Sequence, residues 1–157
     1  MTITAAPGVP DNVKAGVQST LDSYLTGGLV GPLRTGQAPA GVEALFGPPA
    51  AAGLQSADRP SLVEDHPAVL GDVKADRAEA ALTPLAAPDG SIALVAAHLD
   101  VTLTVTSRTS QLRSTRSADL VLAPLNGKWV IDSYDMSASR DSLPRSSGPV
   151  TTRARKP

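Results

Sequence analysis

The 157-residue chain contains no cysteine. That excludes disulfides, thiolate metal ligands and a cysteine nucleophile in one step, and leaves the redox compartment open. Aromatic residues are almost as scarce: one Trp, one Phe and two Tyr. A core must therefore come from Ala, Val and Leu. Two histidines, His66 and His98, lie far apart and outside any ligand-spaced cluster, so no metal site is expected. No apolar run reaches the ~18–20 residues of a membrane span, and the start lacks the basic and apolar regions of a signal peptide. No serine sits in a nucleophile-elbow pattern, and Gly27-Gly28-Leu29-Val30-Gly31 neither follows a strand nor opens a helix as a phosphate loop would. No cofactor is expected.

Charge is nearly balanced overall but unevenly placed. Residues 1–139 hold nine Lys/Arg and fourteen Asp/Glu, whereas residues 140–157 hold five against one. An acidic body with a basic end argues against nucleic-acid binding by the body. The length suits one domain, with residues 1–10 as a flexible linker, 11–140 as the folded unit and 141–157 as a disordered basic tail. The opening segment also suits the soluble part of a longer anchored protein.

What is present reads as helices first and strands after. Asp11 or Asn12 can cap a helix whose apolar stripe is Val13, Val17, Leu21, Tyr24 and Leu25, with Gly27-Gly28 as its stop. Residues 36–67 are punctuated by Gly and Pro, and suggest short helices around 42–46, 49–54 and 60–64, with Phe46 as a core plug and Asp58 as a cap. From about residue 69 the period changes to two. Strands are expected at 73–82, 92–107, 111–123 and 128–138. On the second, Val95, Ala97, Leu99, Val101, Leu103 and Val105 share one face, and His98, Asp100, Thr102, Thr104 and Thr106 the other. Asn126-Gly127 marks a type I′ hairpin, because both central residues need φ > 0. The order predicts an α+β fold: an N-terminal helix and short helices on a curved, cone-like antiparallel sheet.

That order, ending in Gly127-Lys128-Trp129-Val130-Ile131-Asp132, resembles the nuclear transport factor 2-like (cystatin-like) superfamily over roughly residues 11–140. The Ala/Pro-rich style also resembles extracytoplasmic domains of actinobacterial lipoproteins and of proteins associated with mammalian-cell-entry transport or conjugation. The resemblance implies a mostly non-catalytic cell-envelope domain, extracytoplasmic and membrane-anchored only through a segment outside this sequence. Its outer sheet face would meet another protein or a second copy. Enzymes of the superfamily, such as ketosteroid isomerases and polyketide cyclases, instead imply an acid–base site in the cone. Candidates for it are Tyr24, His98, Asp100, Asp119, Asp132 and Tyr134, with Asp132, Tyr134 and Tyr24 foremost, and Tyr24, Phe46, Val130 and Met136 lining a pocket for a small apolar ligand. His98 and Asp100 share the Thr-rich face and read first as solvated. Strict alternation in the last strand would put either Trp129 and Ile131, or Val130, Asp132, Tyr134 and Met136, toward the cone, but not both sets.

Overall fold

The computed structural model describes residues 1–65 and 67–144. His66 and most of the basic tail lie outside the described residues. The fold is α+β: helices on one side of a curved, unclosed five-stranded sheet in the order β1-β2-β3-β4-β5. β2 (Asp72–Ala86), β3 (Ile92–Thr106), β4 (Gln111–Leu125) and β5 (Lys128–Leu143) form an antiparallel meander. Each is longer than its apolar run, because polar residues at the ends still pair their backbone groups across the ladder. Residues 141–143, expected to begin the tail, end β5 instead.

The first residues are not a linker along their whole length. β1 (Thr2–Ala5) pairs parallel with Glu79–Leu82 of β2, and Ile3 and Ala5 pack on the core. Four residues with one Ile give too little periodicity to announce a strand. The ladder edge of β2 supplies what they lack.

α1 (Asp11–Ser23) begins from Pro10, without a side-chain cap from Asp11 or Asn12. The two glycines do not stop it. The chain stays helical through a π-helical stretch, Tyr24–Val30, into α2 (Gly31–Thr35), which ends at Gly36 with φ of 72°. The reason is local packing: a Cβ on Gly28 would stand 3.3 Å from the Tyr24 ring. Gly28 lets the widened turn close against that ring. Short turns of helix follow, with α3 at Pro48–Ala51 and α4 at Arg59–Leu62, the latter capped by backbone alone.

The inner face of β3 is aliphatic, as the alternation predicts. Val95, Ala97, Leu99, Val101, Leu103 and Val105 of β3 are buried against Val17, Leu21 and Tyr24 and the other buried side chains of the helical layer. The parity of β5 resolves differently. Val121 pairs with Ser133 and Leu122 with Ile131, so Asp132 is an extra residue in a β-bulge. The bulge switches phase: Trp129 and Ile131 pack inward before it, Tyr134 and Met136 after it. Both sets contribute to one core. Phe46 bridges Ile131 and the Gly47 N–H donates to the Ile131 carbonyl at 2.8 Å, fastening the helical layer beside the bulge.

Two packing predictions follow from these contacts. A Cβ on Gly16 of α1 would lie 2.6 Å from the Trp129 ring, and Thr20 donates to the Trp129 carbonyl at 2.6 Å. Gly16→Ala should therefore destabilise by about 1–3 kcal/mol through overpacking, although Ala is the better helix former by ~1 kcal/mol. A higher urea midpoint would show that Trp129 moves aside freely. Deleting residues 2–6 should cost roughly 1–3 kcal/mol, as expected for re-exposing Ile3 and the β2 edge. An unmoved thermal midpoint would return the segment to the status of a linker.

Candidate functional site

The sequence candidates fall into two separate groups. Inside, Tyr24 is fully buried, edge-on to Phe46 with centroids 6.1 Å apart and planes at 78°. Its hydroxyl donates to the Leu62 carbonyl and lies 3.6 Å from the Met136 sulfur. Burial pushes the phenol up to about 12, so it stays protonated and committed to that carbonyl. Tyr24, Phe46 and Met136 thus meet, packed as core. Val130 is buried too, but against Gly47 of the loop. Asp132, half-buried in the bulge, also stands beside Gly47, where a Cβ would lie 3.3 Å from its Oδ1. Tyr134 donates to Asp58 at 3.0 Å at the exposed rim. The three foremost candidates therefore do not converge on a common reacting atom.

Outside, β2 to β5 bring Ala81, His98, Asp119 and Asp135 into one row. His98 Nδ1 is 2.7 Å from Asp119 and its Nε2 is 3.7 Å from Asp100, which Arg77 also meets at 3.1 Å. The hydrogen bond to Asp119 raises the His98 pKa above its ordinary value, followed by the attraction of the two carboxylates. A shallow depression of about 290 Å³ adjoins His98 and Asp100 beside β1. Another, about 350 Å³, lies between α1 and the hairpin at Thr20, Lys128 and Trp129.

The most committed polar cluster contains none of these candidates. Glu64, in the strap after α4, is fully buried, and Arg116 and Ser114 of β4 are almost so. Ser114 Oγ and Arg116 Nη1 donate to Glu64 Oε1 at 2.6 and 2.7 Å, and Arg140 Nε of β5 donates to Oε2 at 3.0 Å. The guanidiniums also hold the strap's backbone: Arg116 Nε donates to the Ser61 carbonyl at 2.9 Å and Arg140 Nη2 to that of Pro60 at 2.9 Å. Burial alone would raise the Glu64 pKa. Arg116, the Ser114 hydroxyl and Arg140 together outweigh it and hold the carboxyl below its ordinary 4.5. One signal was legible beforehand: Ser114 and Arg116 share the parity of Leu112, Leu120 and Leu122. A guanidinium in the apolar phase of a strand requires a buried acceptor.

Among the described residues no three His, Asp or Glu side chains gather as a metal site, and no helix is long and apolar enough to cross a membrane. The chain matches no family model, no curated protein and no solved structure.

The ion cluster has a definite pH signature. A carboxyl depressed in the folded state stabilises fully above its unfolded pKa and loses that contribution as pH falls through the folded value. Glu64→Gln should cost about 3–5 kcal/mol near neutrality, the scale for breaking a buried pair. The gap to the wild type should narrow as pH drops below about 4.5. Urea melts from pH 7 to 3 check it, and a pH-independent gap would assign the loss to packing alone.

Proposed function

We propose that this is a non-enzymatic protein-interaction domain of the nuclear transport factor 2-like type, working outside the cytoplasm as an accessory of a cell-envelope transport system. One observation carries the interaction reading: the polar groups directed into the sheet's concavity are tied to partners within the chain. Tyr24 is held by Leu62, and Glu64 by Ser114, Arg116 and Arg140. A proton-transfer group works best with its pKa near the operating pH, whereas burial pushes Tyr24 up to about 12 and the guanidiniums hold Glu64 below its ordinary value, so neither is poised to move a proton near neutrality. The outer face is differently furnished. Leu85 opposes Leu94, Thr83 opposes Ala96, and Ala96 opposes Val121, giving an apolar end beside the charged His98–Asp119 row. Leu85 remains 42% exposed there. Apolar surface bordered by charge is the composition of a protein contact.

The envelope location and the superfamily rest on the sequence resemblance. The contact is testable without knowing the partner, because a second copy is one of its candidate occupants. Sedimentation velocity between 1 and ~200 µM, a range covering typical weak association, should show a reversible dimer. Val121→Lys should abolish it while leaving the thermal midpoint within a few degrees, since Val121 is only half-buried on the outer face. A monomer throughout, for both proteins, would overturn self-association as the use of this face.

A further inference from the structure

The Glu64 cluster has the composition of a receptor as well as of a tie. One carboxylate faces two guanidiniums and a hydroxyl, so positive charge is in excess around it. The three donors are built on the most regular part of the molecule, adjacent strands β4 and β5, where Ser114 pairs directly with Arg140. Their acceptor is built on one of the least regular, a strap of one helical turn followed by extended chain. Arg140 is also 35% exposed, whereas Arg116 and Glu64 are sealed. Arg140 is therefore the donor of the three that solvent reaches.

We propose that Ser114, Arg116 and Arg140 form a carboxylate-binding site on the inner face of the sheet, with Glu64 as its tethered occupant, and that a free carboxylate bearing an aliphatic stem takes the site when the strap lifts. The charge balance is conserved in that exchange, because one carboxylate replaces another on the same donors. Lifting the strap re-exposes Leu62 and Val63, both fully buried beside Glu64, and parts the Tyr24 hydroxyl from the Leu62 carbonyl and the Glu64 N–H from the Gly28 carbonyl. An aliphatic stem filling the vacated volume offsets the apolar part of that cost, and acetate alone does not. The chemistry required is thus an anionic head with an apolar body, from either a fatty acid or the C-terminus of an apolar peptide. This site lies on the opposite side of the sheet from the proposed contact surface and does not depend on it.

Two measurements test it. In Glu64→Ala, sodium acetate or propionate should raise the thermal midpoint in a saturating manner, and sodium chloride at equal ionic strength should not. An equal response to chloride, or none to any salt, overturns the receptor. The wild-type chain needs no variant to fold: sodium octanoate should shift the Arg140 and Arg116 Nε–H resonances in ¹⁵N NMR, with Arg140→Met removing the response. Unshifted resonances overturn the exchange. N-acetyl-valyl-leucine run beside octanoate separates the sources, because both carry a large aliphatic body behind the carboxylate. A stronger shift with octanoate assigns a fatty acid, and a stronger shift with the dipeptide assigns a peptide terminus.

Discussion

A single buried carboxylate, Glu64, fixes the strap before β2 to the sheet. The sheet holds itself together by long antiparallel ladders, and α1 attaches through a conventional aliphatic stripe. The strap before β2 has no ladder and buries only Leu62 and Val63 as its aliphatic anchor. Its residues from Pro60 to Glu64 are pinned by Arg116 and Arg140, which bond two of its carbonyls and its one acid. The net worth of such a buried ion pair is small compared with a hydrophobic replacement, but removing one partner is costly. What it supplies is a definite position: apolar contacts let a short irregular segment slide, whereas three directed donors fix one carboxylate.

Scarcity of aromatics explains why a charged group holds this place. Large rings commonly fill the irregular gap between a sheet and its covering loops. Here only Tyr24, Phe46, Trp129 and Tyr134 exist, and each is spent on a particular junction. Tyr24 meets Phe46 and the Leu62 carbonyl, Trp129 meets Gly16, and Tyr134 meets Gly53 and Asp58. Arginine is the remaining long, planar side chain, and β4 uses it as a core residue with its own counter-ion.

The strands were legible because their burial is one-sided, and period two then writes itself into β3 and β4 residue by residue. The Asn126-Gly127 turn was legible because both residues take positive φ, 51° and 78°. What escaped was set by tertiary context. β1 has pairing without pattern. Gly27-Gly28 look like a helix stop until the Tyr24 ring is placed beside Gly28. The bulge at Asp132 inserts one residue into an alternating pattern, so neither parity of β5 describes the whole strand. The interior cluster was half legible: Arg116 in an apolar phase demands a buried anion, but nothing local identifies Glu64, fifty-two residues earlier in an aperiodic segment.

The two faces of the sheet therefore treat charge in opposite ways. Inside, Glu64 and Arg116 sit at low dielectric, where losing one partner is expensive and where the proposed exchange of one carboxylate for another keeps the charges balanced. Outside, His98, Asp100, Asp119 and Arg77 are wet, screened and loosely coupled, so their arrangement adapts at little cost. An adaptable charged rim beside an apolar end tolerates many macromolecular surfaces. A rigid interior site tolerates one chemistry. On the proposed uses of the two faces, selectivity for a small molecule would arise at the buried arginines, and breadth in protein contacts at the outer face.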